Sequence, residues 1–583
     1  VIDPALSAWL GLAADVAVLK EHGVDSLTLL SESPVAAPDG AGPVVFVARP
    51  TPAAAAAIAA TVKLGLAAPG GARREWRALL APRAGLRARA ALAAAGALGS
   101  VALADLPLHF LPLDADLLSL EDYDAPAALA AGHPGPAHAV AAGLAALLPR
   151  LGAPAVLRAV GPAALAAADA LAAARKAAGA DAPPPGGGKV SEWILIDRSI
   201  DWVTPLLTQL TYEGLIREAL PVRGGAAVFE GGPAAAAPST PHSSRPARTR
   251  VPLTAADPVF RELRDASFAA AGPALGARAR AIQTGYSAAR AGGAPLADLR
   301  DFAATLKTLP AVQRHVALAE AAGAAAGAGW FKDRVAAEQA LLAGGAGGGD
   351  AGADAAEAIL ARGAPAEAGL RLLCLACAVG AAPTRARLDR AVRELAATAG
   401  PEVAATLTSL EHGGLLKSGG GGGGDKPAWP ALRRSLRLLA DGGDPRSPVD
   451  AAYVYAGYAP ATVRLVEAAG GAPGWAGAGP ADAVRALGGG REVALRTDAA
   501  GRPTEEPLPR GGAPPGPRIV LVAFIGGATS AEVAALRWLA ARPRATTRYL
   551  VATSAMLTGD DVVRAFAPPS ARALADALAL AAE

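Results

Sequence analysis

Cysteine is nearly absent: 583 residues hold two, Cys374 and Cys377. That excludes a disulfide framework and suits a reducing compartment. Methionine occurs once, at Met556, and the chain begins at Val1; the expectation is a start that is trimmed or incomplete. Aromatic residues make up 4% of the chain although apolar residues make up 52%. Alanine, glycine and proline dominate the composition, so the positive mean hydropathy reflects small side chains and does not mark a membrane protein. No apolar run reaches the ~20 residues that span a bilayer without a charge or proline breaking it. The Ala-rich run at 139–176 is interrupted by Arg150, Pro154, Arg158, Pro162 and Asp169. No secretory signal pattern opens the chain. Charge of one sign is also missing: 55 basic residues face 52 acidic ones, a net +3. That balance gives no general drive toward nucleic acid.

The usual catalytic patterns are missing too. There is no GxSxG elbow and no HExxH. GGGKVS (186–191) imitates a P-loop but lacks the GK[ST] ending, and it precedes a strand where a P-loop follows one. Cys374 and Cys377 form a CxxC inside an apolar helical run, with no second pair to complete a zinc site, so both read as structural. The seven histidines are scattered. One possibility stays open: FIGGATS (524–530) lies between a strand and a helix, where anions bind. An α/β nucleotide-binding enzyme using that turn as a phosphate site is the alternative reading.

What is present is an α/β rhythm broken by a long helical stretch. A chain of this length exceeds one core. Strands are predicted at 44–47, 76–80 and 100–104, with a helix over 52–66 between the first two, which implies a parallel sheet. Residues 109–122 read as extended, and 137–178 as two helices. A buried strand follows at 194–197. Residues 221–256 are rich in Gly, Pro, Ser, Thr and Arg, without an apolar face, and predict a disordered linker. Asp257 before Pro258 is a helix start, and helical signal continues to about 411. SGGGGGGD (418–425) is a flexible loop. RIVLVAFIGGATSAEVAALRWLA (518–540) and RYLVATSAM (548–556) restore the α/β pattern, with Thr529, Ser530 and Glu532 marking a capped helix. This last piece is expected to complete a sheet begun by the 194–197 strand.

Asp197 and Asp201 sit four apart in ILIDRSIDWVTPLLTQLTYEGLI. They read either as an acid/base pair or as carboxylates that cap turns, with Arg198 as a nearby ion partner. No His, Lys or metal pattern accompanies them, which favours the scaffold reading. The stretch as a whole, with Thr204, Pro205, Gln209, Tyr212, Glu213 and Gly214, resembles the signature of the SM (Sec/Munc-type, syntaxin-binding) proteins. LKEHGV (19–24), VVFVARP (44–50), FRELRDASF (260–268), LEHGGLLK (410–417) and YVYAGYAPATVRL (453–465) extend the resemblance along nearly the whole chain.

The resemblance implies a three-domain arch, α/β plus an all-α insertion: two parallel-sheet α/β domains, with a largely helical domain inserted into the second. Domain 1 would span 1–107. Domain 2 would begin at 108–220 and end at 429–583. The linker at 221–256 precedes helical domain 3 at 257–365, followed by a junction at 366–417 and a Gly-rich loop at 418–428. It implies no catalysis and no cofactor. It implies binding and templating of SNARE proteins, both syntaxin-like and R-SNARE, for vesicle docking and membrane fusion at late endosomes and the vacuole or lysosome. The protein would be cytoplasmic and would touch membranes only through its partners, as a subunit of the HOPS and CORVET tethering complexes. An α-solenoid subunit, vacuolar protein sorting-associated protein 16, would recruit it.

The platform for SNAREs is expected at 299–320. Leu299, Phe302, Leu306 and Leu309 step by three and four, and Gln313 and Val316 continue the register. Pro310 is expected to kink this helix. Phe331, Val335, Glu338 and Leu342 repeat the spacing. Both stretches also suit hairpin core, which makes Lys307, Gln313 and Arg314 the expected polar contacts. For the solenoid partner the expectation is 387–404, with Leu388, Val392 and Leu395 beside Arg390 and Arg393, and Pro401 and Ala404 at its end.

Overall fold

The computed structural model describes residues 1–14, 16–31, 42–68, 74–179, 184–223, 225–230, 248–291, 306–344, 350–400, 402–419, 429–440, 443–471, 473–499, 502–508 and 517–568. The chain divides into two compact units, Val1–Leu113 and Asp114–Glu583.

The first unit carries a parallel sheet of β1 (Val44–Ala48), β2 (Trp76–Leu80) and β3 (Ala102–Asp105), in that order. Helix Pro52–Ala67 crosses from β1 to β2. Thr51 caps it by accepting from the Ala54 amide at 3.2 Å, and Pro52 sits where no amide is needed. Its small face (Ala54, Ala55, Ile58, Val62, Gly65) lies buried on the sheet. Gly65 is required there, since a Cβ would lie 2.2 Å from the Trp76 ring. Trp76 in turn stacks on Phe46 with centroids 6.2 Å apart. One large aromatic thus fills the space that alanines leave.

The second unit is built on an eight-stranded sheet. Its strands are β4 (Leu111–Asp114), β5 (Leu117–Ser119), β6 (Val156–Val160), β7 (Glu192–Asp197), β11 (Gly490–Thr497), β12 (Pro503–Pro507), β13 (Arg518–Ile525) and β14 (Thr547–Thr553), in the order β12-β11-β6-β7-β13-β14-β5-β4. β7 runs beside β13, Glu192 opposite Val520 and Asp197 opposite Ile525. The C-terminal piece therefore completes the sheet, and the chain between β7 and β11 is an insertion dominated by helices. The expectation of a parallel sheet holds from β6 to β5 and needs correction at one edge, where β11 pairs antiparallel with both β6 and β12. A connection as short as that between β11 and β12 permits only an antiparallel return. β12 ends the sheet with exposed Glu505 and Glu506 and with Pro503 and Pro507, residues that blunt an edge.

Two further expectations are corrected. The helices read in 137–178 are Gly135–Leu151 and Pro162–Ala178, but β6 lies between them. Arg158 breaks the apolar run of β6; it is buried because Glu192 and Glu492, the latter at 2.7 Å, meet its guanidinium. The predicted disordered linker contains structure at both ends. β8 (Val222–Arg223), β9 (Ala226–Glu230) and β10 (Arg248–Pro252) form a three-stranded antiparallel sheet, order β10-β9-β8. Ala227, Phe229 and Val251 join a core with Tyr212, Phe260 and Leu318. Alternation over such short strands does not stand out of a Gly/Pro-rich composition. Residues 231–247 lie outside the described residues.

Candidate partner-binding surface and its buried anchor

The signature stretch leaves the end of β7. Asp197 caps the turn there, accepting from the Ser199 amide at 2.8 Å and from the Ala163 amide at 2.7 Å. One carboxylate thereby joins two strand-to-helix turns. Gly161 permits the approach: its φ is +88°, and a Cβ would lie 2.6 Å from that of Asp197. Asp201 faces elsewhere, accepting from the Thr204 amide at 3.0 Å and the Thr204 hydroxyl at 2.5 Å. The Tyr458 hydroxyl is 2.9 Å from the same Thr204 oxygen. The two carboxylates are spent on different backbone and hydroxyl groups, so they do not form an acid/base pair.

Arg198 is fully buried and donates to Glu532 at 2.9 and 3.0 Å and to the Asp201 carbonyl at 2.6 Å. Burial works against its charge, but Glu532 and Asp201 overcome this and raise its pKa. Pro205 lies buried in the short helix Val203–Leu206. Gln209 accepts from the Ala531 amide and donates to the Leu557 carbonyl, both at 3.0 Å. Glu213 pairs with Arg217 at 3.1 Å. A Cβ on Gly214 would lie 2.7 Å from both the Gln209 Cβ and the Thr211 hydroxyl, so only glycine fits. The signature locks β7 to the helix Ser530–Ala541, more than 300 residues later in the chain.

That lock also closes the FIGGATS turn. The Gly526 amide donates to Ser554 Oγ at 3.0 Å and the Ala528 amide to the Ala555 carbonyl at 2.9 Å. Thr529 and Glu532 form a capping box, with the Thr529 amide 2.8 Å from the Glu532 carboxylate. The Ala531 amide is held by Gln209. The protein's own carboxylate holds the Thr529 amide at the place an incoming phosphate would take, an arrangement that fits a tight, capped turn. Cys374 is equally closed off: burial pushes its thiol well up, and that of Cys377 up as well. Among the described residues no group of three or more His, Cys, Asp or Glu could hold a metal ion.

The same stretch anchors a helix pair, Phe268–Ala291 and Leu309–Ala326. Tyr212 presents its hydroxyl 3.0 Å from His315 Nδ1, and His315 Nε2 lies 3.4 Å from Asp257. Asp257 caps helix Pro258–Leu263 through the Val259 and Phe260 amides, at 2.9 and 3.3 Å. Burial lowers the His315 pKa further than Asp257 raises it, so the imidazole is held neutral. Phe260 stacks on the ring with centroids 6.0 Å apart.

On helix Leu309–Ala326 the inward face is Ala311, Val312, His315, Leu318 and Ala322. Leu306, Lys307, Pro310 and Gln313 are exposed, and Leu309 and Val316 are half-buried. Arg314 is partly engaged by Asp257 at 3.3 Å. One expectation changes here, and the hairpin-core reading of the second stretch agrees with its burial. Pro310 does not kink a helix running through 299–320, because residues 307–308 form a turn and the helix begins at Leu309, with Pro310 in its first turn. The repeat at Phe331, Val335, Glu338 and Leu342 lies on helix Gly329–Ala343 and faces inward: Phe331, Glu338 and Leu342 are buried, Val335 half-buried, and Glu338 accepts from the Thr208 amide and hydroxyl at 2.8 Å. Leu299 and Phe302 lie outside the described residues.

In the stretch expected to meet a solenoid partner, Leu388 and Leu395 are buried on helix Arg385–Ala399, and Val392 is half-buried. Arg390 and Arg393 are exposed; Arg390 is 3.6 Å from Glu357. Ala404 is exposed on helix Glu402–His412, and Pro401 lies outside the described residues.

A model of the Sec1 family matches residues 1–565. The chain belongs to the Sec1 family, the SM proteins. Among curated Sec1-type relatives it is 30% identical over 570 residues to the vacuolar protein-sorting-associated protein 33 homolog of Arabidopsis thaliana, covering 97% of this chain and 93% of that one. It is 29% identical to vacuolar protein sorting-associated protein 33A of Rattus norvegicus, again over 97% and 93% of the two chains. Among solved structures it is similar in fold to the Unc18–syntaxin 1 complex from Monosiga brevicollis, with a TM-score of 0.58 and 16% identity over 97% of this chain and 94% of that chain. In this Sec1-family chain, sequence reasoning missed the burial partners: Glu532 for Arg198, His315 for Tyr212, and Glu338 for Thr208. A buried carboxylate or imidazole on the apolar face of a helix was the available signal, since such groups are rarely buried unless paired.

Proposed function

We propose that the protein is a non-catalytic template for SNARE assembly, acting in vesicle and endosome fusion with the vacuole or lysosome. SNARE segments are disordered alone, and both helix nucleation and the ordering of separate chains cost free energy. A rigid helix that holds two such segments in register lowers that barrier. The observation that carries the reading is the exposed pair Pro310 and Gln313 on a helix whose opposite face is fixed by His315, with Leu306 and Lys307 exposed in the segment just before it. An exposed strip on an immobilised helix is what a second helix needs to dock. Family membership supports the reading, and the Unc18–syntaxin 1 complex joins a fold neighbour to a syntaxin.

The relatives' names, vacuolar protein sorting, support the site of action. We extend the proposal to membership of HOPS and CORVET, with vacuolar protein sorting-associated protein 16 meeting Arg390, Arg393 and Ala404. Among the described residues no helix is long and apolar enough to cross a membrane. The test is a pull-down with purified syntaxin-like and R-SNARE cytoplasmic domains and, separately, with the solenoid subunit. The expected outcome is binding to both, with SNARE binding weakened in Lys307→Glu/Gln313→Glu and solenoid binding kept. Binding to the solenoid alone would reduce the protein to a structural subunit and end the template reading.

A further inference from the structure

We propose that the carboxyl edge of the first unit's sheet docks directly on an anionic lipid surface, with Leu86 at the apex and Arg83, Arg87 and Arg89 around it. The proposal does not depend on the SNARE reading, and it departs from the expectation that membrane contact is only indirect.

β1, β2 and β3 are parallel, so the segments that follow them gather at one edge. The Ala48 carbonyl accepts from Ala81, and the Leu80 carbonyl from Leu106, which holds the three exits side by side. The exit from β2 reads Ala81-Pro82-Arg83-Ala84-Gly85-Leu86-Arg87-Ala88-Arg89 and opens helix Leu86–Ala94. Leu86 is 86% exposed, the highest value among the exposed large hydrophobics of the described residues. Arg83, Arg87 and Arg89 are all exposed around it. The inward positions of this helix are small or distant from the apex, Ala88 and Leu92, so Leu86 is not part of the core packing.

Among the described residues the acids at this edge are engaged. Asp3 pairs with Arg49 at 3.0 Å, and Asp105 accepts from the Ala84 amide at 2.8 Å. Among the described residues no carboxylate pairs with Arg83, Arg87 or Arg89. Over 81–89, the exit itself, the sequence holds three arginines and no acid. The field of Arg83 reaches His109, whose imidazole is lowered by burial first and by Arg83 second.

Local helix energetics do not explain this arrangement. The first turn holds no acid and no side-chain cap, and cations there oppose the helix dipole. An anionic surface at this end relieves both the arginines and the dipole. A single projecting apolar side chain ringed by cations suits a bilayer, which deforms around a convex apex and takes the leucine into its acyl boundary while its headgroups meet the arginines. An acidic protein segment would answer the charges but leave Leu86 without a cavity of matching shape.

The test is flotation of the full chain with phosphatidylcholine vesicles, with and without phosphatidylserine. The expected result is association with the phosphatidylserine vesicles only, weakening as salt rises. Changing Arg83, Arg87 and Arg89 to Ala together lowers binding roughly 100-fold, at about fivefold per cation. Leu86→Ser lowers it roughly tenfold, and lysine at all three arginine positions keeps it, because headgroups read point charges. All variants keep the wild-type melting temperature, since these side chains are exposed. No association of the wild type, equal association with neutral vesicles, or undiminished binding by the triple alanine variant overturns the proposal. So does loss of a protein partner by the lysine variant with no vesicle binding, which would assign the edge to a carboxylate-bearing protein surface that reads arginine bidentately.

Discussion

At the scale of single residues, the determining feature is a set of charges buried in complementary sets. Arg198 with Glu532 is the clearest, because both side chains are fully buried and the pair joins segments 334 residues apart. Removing one partner strands the other in a low-dielectric interior. Arg198→Met or Glu532→Leu is therefore expected to cost about 3–5 kcal/mol of unfolding free energy, while the double variant recovers much of the loss; urea denaturation of the three variants measures this. His315 makes a pH prediction with a definite sign. Its folded pKa lies below the ordinary 6.5 because of burial, so the unfolded chain binds more protons near that value. Its contribution to stability is fully present above pH 6.5 and is lost as pH falls through the lower folded value. Melting temperatures recorded from pH 7.5 down to 5 should fall for the wild type and fall less steeply for His315→Gln. An equal slope in both would remove His315 from the anchor.

At the scale of elements, turns and helix ends were the most legible features. Asp257-Pro258 announced a helix start, Thr529 and Glu532 announced a capping box, and VVFVA and RIVLVAFI announced strands, because each is a local arrangement of donors, acceptors or apolar side chains. β6 was not legible, because Arg158 breaks its apolar run and only two distant glutamates make that arginine burialworthy. The same reasoning applies to the anchor: Tyr212 and Gly214 stood out, whereas His315, 103 residues on from Tyr212, did not. Two predictions belong here. Lys307→Glu with Gln313→Glu should weaken SNARE binding about three- to tenfold without moving the melting temperature, whereas Arg314→Glu should lower both, because Arg314 also contacts Asp257; a pull-down beside a melting curve separates the two effects. Gly526→Ala should destabilise the protein by about 2 kcal/mol or more, since φ is +97° and the new Cβ would lie 2.2 Å from Leu129 Cδ1. A phosphate-binding turn would instead give a folded variant that has lost saturable nucleotide binding, and calorimetric titration of the wild type with nucleotide is expected to show none.

At the scale of the whole molecule, the second unit is closed by its last strands. β7 is flanked by β6 on one side and by β13 on the other, and β13 arrives only after the helical insertion has been made. The anchor repeats this dependence: Arg198, Gln209 and Glu213 find partners on the Ser530–Ala541 helix, and Arg371 finds Asp560 at 3.1 Å. Without those partners the insertion holds buried arginines with part of their neutralising charge missing, and β7 loses the strand that pairs with its backbone along one edge. A chain ending before Arg518 should therefore lose more than its terminal strands. The helices at 203–219 and 366–378 should lose their fixed packing together with the sheet, giving a unit with helical circular dichroism but no cooperative melt and rapid proteolysis at sites protected in the full chain. The first unit keeps its own core around Phe46, Ile58 and Trp76, so fragments from Val1–Leu113 should survive the same digestion. Survival of a protease-resistant helical fragment from 257–412 would show instead that the insertion folds alone, and that the long-range charge pairs serve only to place it.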